Sequence, residues 1–289
     1  MKFAKSIARI AAALFCTFVF AASSFASSGL SGPHGLAVDA KGNLWVANTG
    51  ANNILEFNSN YMLQPNATIT AGLNLPVGVA FDPSGNLWVA NFQDSNGGSL
   101  GSISMYNNGK QNTNATITKG IVGPFALAID GMGNIYVSND GNNITVYTIP
   151  APNALPSKLI GPLSISGYSV YGIAVSAQAL VWGSNTNGTI FSPPQVSLQE
   201  GQLPGFVVGG NNTGNTLAMA ANGDVYIGNN DGSVNIFTPS LVTSFFTQLN
   251  YIPFGIAIDK ARGRIYISDD VNNTIEVYST SGALLSVIQ

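Results

Sequence analysis

The sequence predicts an all-β protein, a six-bladed β-propeller of four-stranded antiparallel blades that follows an N-terminal signal peptide. Three observations support this fold class. A block of text recurs six times, with one aromatic position (Trp or Tyr) repeating at intervals of 40 to 48 residues. A second position in each copy is always Phe or Tyr. The runs between turn residues are short and of β type, and such a period is typical of propeller blades.

The two aromatic columns indicate how the blades pack. The first column is Trp45, Trp88, Tyr136, Trp182, Tyr226 and Tyr266, and the second is Phe57, Tyr106, Tyr147, Phe191, Phe237 and Tyr278. A ring on a middle strand would fill the wedge between neighbouring sheets and bury roughly 150–250 Å². A carbohydrate-binding ladder is the alternative, but positions buried in every blade cannot face a ligand. We therefore interpret both columns as structural.

The N-terminus has the order of a secretory signal peptide. Basic residues precede an apolar run from Ile10 to Ala22, and small residues with a cleavage site after Ala26 follow. The run is shorter than the roughly 20 residues of a membrane helix, although an uncleaved anchor is the alternative. We expect residues 1–26 to be removed and the product to be secreted or periplasmic in a bacterium, without stable membrane insertion.

The composition restricts the possible partners. The chain has 10 Lys and Arg against 13 Asp and Glu, and a single cysteine, Cys16, which lies inside the predicted signal peptide. The basic residues of the remaining chain are scattered, which argues against nucleic acid as a partner. A mature chain without disulfides must be stabilised by burial alone, and we expect it to be a monomer.

The propeller domain, residues 27–289, divides into six predicted blades. Their approximate bounds are 33–73, 76–120, 124–161, 170–210, 215–250 and 253–289. In the first blade, residues 67–71 are expected to form the outermost strand. The fourth blade is degenerate, because its tail carries Pro193, Pro194 and Pro204, which cannot donate to a central ladder.

Aspartates close the first strand of several blades. Asp39, Asp82, Asp130 and Asp259 are each followed by a glycine three or four residues later. The carboxylate can accept hydrogen bonds from the amides of its own turn, and the glycine supplies a positive φ. We favour this structural role over a metal or acid–base set, since each aspartate repeats with its turn.

The blade text resembles NHL repeats and the related blades of streptogramin-lyase and gluconolactonase-like propellers. The resemblance rests on Pro33-His34-Gly35, Asp39, Gly42-Asn43, Trp45 and Asn48-Thr49-Gly50, and on similar runs in later blades. It implies a propeller fold, with enzymes, sensors and scaffolds all represented among its members.

The catalytic residues that the resemblance implies are poorly represented. Streptogramin lyases use a histidine base beside a metal-holding carboxylate, and His34 is the sole histidine. Zinc-binding amidating lyases of similar fold need several histidines. Gluconolactonase-like sites need axial Glu, Asn and Asp, whereas Glu56 and Glu276 lie on third strands and Glu200 in an irregular tail. No catalytic residue, metal ligand or cofactor is therefore predicted.

Topology predicts a ligand site at one end of the propeller. The loops entering the first strands would present His34, Val77, Phe125, Tyr171, Thr216 and Phe254. The loops leaving the second strands would add Asn48, Asn91, Asn139, Asn185, Asn229 and Asp269. A ring of aromatics edged with amides suits a neutral saccharide, a peptide or protein, or a polar metabolite.

The favoured function is a non-catalytic binding or interaction module that uses this channel mouth. The alternative is a metal-dependent lyase or lactonase of the streptogramin-lyase or gluconolactonase type. A divalent cation near the axis, held by Asp269 or the Asn ring, would favour that alternative.

Overall fold

The computed structural model describes residues 28–93, 97–98, 100–140, 143–148, 158–160, 170–176, 181–185, 190–191, 214–239 and 242–289. The predicted signal peptide and the proline-containing tail of the predicted fourth blade lie outside the described residues. Within the described part, consecutive strands pair antiparallel into separate sheets.

The strands follow one another in chain order within every sheet. Sheet 1 contains β1 (Pro33–Val38), β2 (Leu44–Asn48) and β3 (Asn53–Phe57). Sheet 2 contains β4 (Pro76–Phe81), β5 (Leu87–Asn91), β6 (Ser102–Asn107) and β7 (Lys110–Ile117). Sheet 3 contains β8 (Pro124–Ile129), β9 (Ile135–Asn139), β10 (Asn143–Tyr147) and β11 (Lys158–Ile160).

The second half of the chain repeats this arrangement. Sheet 4 contains β12 (Val170–Val175), β13 (Val181–Asn185) and β14 (Ile190–Phe191). Sheet 5 contains β15 (Gly214–Met219), β16 (Val225–Asn229), β17 (Ser233–Phe237) and β18 (Thr243–Gln248). Sheet 6 contains β19 (Ile256–Asp259), β20 (Arg264–Asp269), β21 (Thr274–Ser279) and β22 (Leu284–Ile288).

The prediction of six four-stranded blades is wrong. The structure has five blades of three or four strands, sheets 1, 2, 3, 5 and 6. The described part of sheet 4 contains three strands, of which the last has two residues. Sheet 1 also lacks its predicted outer strand at residues 67–71. Pro65 begins a short 3-10 turn, and of residues 67–71 only Ile69 pairs with the sheet, through Ile54. The 3-10 turn Pro65–Ala67 overlaps the start of the predicted strand, so the backbone is not extended there.

The first strands of the sheets surround a common axis. Each packs against the first strands of its neighbours, in the order β1, β4, β8, β12, β15, β19 and back to β1. The apolar core therefore lies in wedges between adjacent sheets rather than in one central layer. Among the described residues no helix is long and apolar enough to cross a membrane.

The first aromatic column occupies equivalent positions on the second strands. Each of its members pairs with an alanine on the adjacent first strand, as in Ala37 with Trp45 and Ala80 with Trp88. The small alanine leaves room for the ring on the same face. Trp88 is 3% exposed and Tyr266 is 1% exposed, so the wedge interpretation is confirmed for these rings. The side chains of Trp182 and Phe191 lie outside the described residues.

The predicted aspartate turns are also confirmed. Asp82 Oδ1 accepts from the backbone N–H groups of Ser84 and Asn86, both at 2.9 Å. Its Oδ2 accepts from Asn86 Nδ2 at 2.8 Å and from Trp88 Nε1 at 2.9 Å. The carboxylate thus ties the turn to the aromatic column, which explains why the two features recur together.

Side chains hold sheet 6 against sheet 1 and close the ring. Ser268 Oγ donates to the His34 carbonyl at 2.8 Å, and Arg262 Nη2 donates to the Lys41 carbonyl at 3.0 Å. One apolar cluster spans the seam and contains Leu36, Leu44, Val46, Leu55, Phe57, Ala257, Tyr266, Ile275, Val277 and Ile288. Closure therefore rests on packing and hydrogen bonds between sheets that are each built from one stretch of chain.

Candidate functional site

A cavity of about 530 Å³ opens where the first strands meet around the axis. Every sheet contributes three consecutive residues to its wall, at 34–36, 77–79, 125–127, 171–173, 215–217 and 254–256. The bulge or irregular register at the start of most first strands turns these residues toward the axis. The size suits a small molecule or a side chain of a peptide.

The walls are mainly apolar. No Lys, Arg, Asp or Glu lies among the described residues that line the cavity. The polar groups that do face it come from His34, Thr49, Tyr171, Thr216 and the two amides Asn215 and Asn230. An apolar pocket with a few polar groups is the usual composition of a ligand site.

Five rings stand at the mouth in two groups. His34 stacks on Phe254, with ring centroids 4.7 Å apart and planes inclined by 11°. In the second group Phe125 lies 5.4 Å from Phe92 and 4.6 Å from Tyr171, the latter edge to face. Phe254 remains 39% exposed, unlike the rings of the structural columns. These rings therefore present apolar area that the fold itself does not cover.

The structure separates the two predicted sets of mouth residues. All six residues from the entering loops line the cavity: His34, Val77, Phe125, Tyr171, Thr216 and Phe254. The residues from the leaving loops do not, and each described one is at most 4% exposed: Asn48, Asn91, Asn139, Asn229 and Asp269. The side chain of Asn185 lies outside the described residues. Ligand contact by the first set stays a prediction.

The leaving-loop residues instead fasten the loops. Asn48 Oδ1 accepts from the Ser31 N–H at 2.6 Å, and its Nδ2 donates to Asn53 Oδ1 at 2.7 Å. Asp269 Oδ1 accepts from the N–H groups of Val271 and Asn272, both at 3.0 Å. Their polar atoms are engaged within the protein, so they are not positioned as an amide edge for a ligand.

Three of the cavity residues that were missed lie one place after a predicted leaving-loop residue. Thr49, Phe92 and Asn230 follow the last residue of a second strand and line the cavity. Successive side chains point to opposite sides of a strand, so a shift of one residue exchanges the buried face for the axial face. The alternation of side chains along the strand could have identified these three residues from the sequence. Asp140 and Asp270 occupy the same repeat position in sheets 3 and 6.

His34 and Asp270 form the titratable part of the mouth. Asp270 Oδ2 lies 3.9 Å from His34 Nε2, and the two side chains are 25% and 24% exposed. Burial lowers the pKa of His34 from its ordinary value, and the Asp270 charge opposes this shift only in part. The imidazole is therefore neutral at pH 7 and can accept or donate one hydrogen bond.

The described residues contain no cluster of three or more His, Cys, Asp or Glu side chains that could hold a metal ion. Glu56 and Glu276 lie on third strands, away from the cavity. Burial raises the pKa of Glu56, and the neighbouring Asp39 adds to that shift. Glu276 accepts a hydrogen bond from the Tyr278 hydroxyl. Both glutamates thus serve local contacts.

Solved structures of similar fold carry lyase names. A structure titled streptogramin B lyase aligns with a TM-score of 0.60 at 14% identity and covers 83% of this chain and 91% of that chain. Virginiamycin B lyase from Staphylococcus aureus aligns with a TM-score of 0.58 at 17% identity, covering 88% and 83%. A catalytically inactive form of that lyase with Quinupristin gives 0.59 at 17% identity, covering 82% and 76%.

The NHL repeat model matches residues 30–57, which include all of sheet 1. Comparison with curated proteins gave no match. At these identities the likeness to the lyase structures shows the fold alone. The chain is therefore a β-propeller that matches the NHL repeat model over residues 30–57 and whose fold is similar to that of solved streptogramin B lyase structures.

Proposed function

We propose that this propeller is a non-catalytic binding module whose ligand places an aromatic or apolar group in the mouth of the axial cavity. The observation that carries the proposal is the pair of aromatic groups that the fold leaves uncovered there, with Phe254 39% exposed. The described rings of the two packing columns are much less exposed, as Tyr266 at 1% shows.

The wall chemistry narrows the ligand class. A neutral saccharide would use a ring of amides at the mouth, but Asn48 and its described equivalents engage their polar atoms in the loops, and among the described residues only the amides Asn215 and Asn230 line the cavity. Stacked and edge-to-face rings favour a partner that supplies another ring, such as an aromatic peptide or a small molecule. This favours a peptide, a protein segment or an aromatic metabolite over a sugar.

The lyase alternative has less support. The similar structures are named for lyases of streptogramin B and virginiamycin B. In this chain His34 stacks on Phe254 and has one carboxylate nearby, Asp270. Asp269, one of the groups that could hold an axial cation in the lyase alternative, accepts hydrogen bonds from its own turn. Sequence and geometry therefore favour binding.

The binding proposal is tested with 2-naphthylmethanol by isothermal titration calorimetry. We expect the protein to bind this probe and the Phe125→Ala/Tyr171→Ala double variant to bind it at least about tenfold more weakly, since both rings line the cavity. Phe245→Ala is the matched control, because Phe245 lies on the outer strand β18 and is 64% exposed. Equal affinity in all three proteins would contradict the proposal.

Quinupristin provides the test against catalysis. Incubation with the protein in the presence of Mg²⁺, followed by mass spectrometry, is expected to recover the compound intact. Conversion to a linear product would overturn the non-catalytic assignment in favour of the lyase.

We also propose export to the periplasm or the exterior, supported by the N-terminal sequence of residues 1–26. Expression of the full chain in a bacterium should yield a product that begins at Ser27 in the periplasmic or culture fraction. Recovery of the uncleaved chain from the membrane fraction would instead support the uncleaved anchor.

A further inference from the structure

One carboxylate beside the cavity is not used by the fold. Asp270 directly follows β20, at the repeat position where Thr49, Phe92 and Asn230 line the cavity. Its Oδ1 is buried and has no hydrogen-bond partner among the described residues. An acceptor left without a partner is costly, which makes it a candidate for an external donor.

The adjacent aspartate, and not Asp270, supplies the carboxylate that accepts the hydrogen bonds of this turn. Asp269 accepts hydrogen bonds from Val271, Asn272 and the Asn272 side chain, and it is 2% exposed. Asp270 is 25% exposed at its side chain. The turn is therefore held by one carboxylate, while the other lies beside His34, which lines the cavity.

Among the described residues, no Lys or Arg side chain forms an ion pair with this carboxylate. His34 Nε2 is 3.9 Å from Asp270 Oδ2, which is beyond hydrogen-bond length, and the imidazole is neutral at pH 7. The described cavity residues include no Lys or Arg. A negative charge therefore stands beside the stacked rings of His34 and Phe254.

We propose that Asp270 forms a subsite for a protonated amine, on a ligand whose aromatic part lies against Phe254. The ammonium group would donate to the carboxylate and lie close to ring faces, where charge-assisted hydrogen bonding and cation–π attraction reinforce each other. This inference rests on the proposed binding function and assigns to its ligand an aromatic body with a basic amine.

The test compares two probes that differ in one group. Binding of 2-naphthylmethylamine and 2-naphthylmethanol is measured by calorimetry at pH 7.5 and low ionic strength. The wild-type protein should bind the amine at least about tenfold more tightly than the alcohol, because only the amine carries a charge for Asp270. The excess should shrink with added salt.

Two variants locate the charge. Asp270→Asn keeps the shape and should remove the preference for the amine while leaving the alcohol affinity unchanged. Asp140→Asn is the matched control, since Asp140 holds the same repeat position in sheet 3 and is exposed. It should retain the preference, and thermal melts confirm that both variants are folded.

The outcomes separate this inference from the proposed function. If the wild-type protein binds both probes equally, or if the preference survives in Asp270→Asn, the amine subsite is wrong although a binding module remains. If neither probe binds, the proposed function fails and the subsite fails with it.

Discussion

Removal of the Asp82 carboxylate should destabilise the propeller far more than its place in a surface turn suggests. Asp82 accepts two backbone and two side-chain hydrogen bonds, and the residue is 7% exposed. In Asp82→Ala the amides of Ser84 and Asn86 can turn to water, because the turn is open. Trp88 Nε1 cannot, since that ring is 3% exposed.

The magnitude follows from these four bonds. A buried donor left without a partner costs about 1–3 kcal/mol, and hydrogen bonds to a charged group contribute about 1.5–3 kcal/mol each without full additivity. We expect a loss of about 3 kcal/mol in unfolding free energy. For a chain of this size that corresponds to a fall in Tm of roughly 6–12 °C.

Urea denaturation and calorimetric melts of three variants check the reasoning. Asp82→Asn should lose nearly as much unfolding free energy as Asp82→Ala. The NH₂ group of the new side chain would face two other donors, Asn86 Nδ2 and Trp88 Nε1. Asp224→Ala is the control, since Asp224 accepts only an exposed hydrogen bond from Asn222 in the equivalent turn region of sheet 5. Its loss should stay below about 1 kcal/mol. If Asp82→Asn leaves the free energy of unfolding unchanged, the account of the turn is wrong.

Two further predictions concern pH and charge. Burial lowers the pKa of His34 below 6.5, so the unfolded chain takes up a proton there before the folded chain does, and stability should fall as the pH drops through 6.5. Urea titrations at pH 7.5 and 5.5 should show a larger fall in the wild type than in His34→Gln, and equal falls would contradict this. Glu56→Gln should stabilise the protein at pH 7.5, because burial and Asp39 raise the pKa of Glu56 while Gln keeps the acceptor for Asn43. The gain should disappear at pH 4, and a loss at pH 7.5 would show that the charge is favourable.

The sequence predicted those features that repeat with the sheets. The aromatic columns and the aspartate turns depend on packing and hydrogen bonding inside one sheet and its neighbour. The same residue types therefore recur at these positions in successive sheets. The column at Trp88 and the turn at Asp82 were therefore recognised without coordinates. The axial residues of the entering loops, such as Phe125 and Phe254, followed from the same strand order.

The errors arose where one repeat departs from the others, or where the direction of a side chain determines whether it lines the cavity. The first blade was expected to have a fourth strand, but the 3-10 turn Pro65–Ala67 interrupts it, and only isolated bridges at Leu63 and Ile69 remain. The leaving loops were assigned one residue too early, at Asn91 instead of Phe92, because the amides were taken for a ligand edge. Pairing between distant strands and the direction of a side chain at a strand end are not visible in composition.

A residue that holds a loop is followed directly by a residue that lines the cavity, as in Asn91 and Phe92. Neighbouring residues in the chain therefore have two different roles. The first member serves folding and tolerates little change, whereas the second contributes to recognition at the mouth. Different ligands could thus be accommodated by exchanging only the second member in successive blades, with the scaffold retained. A propeller of this kind can change its ligand specificity while keeping its stability.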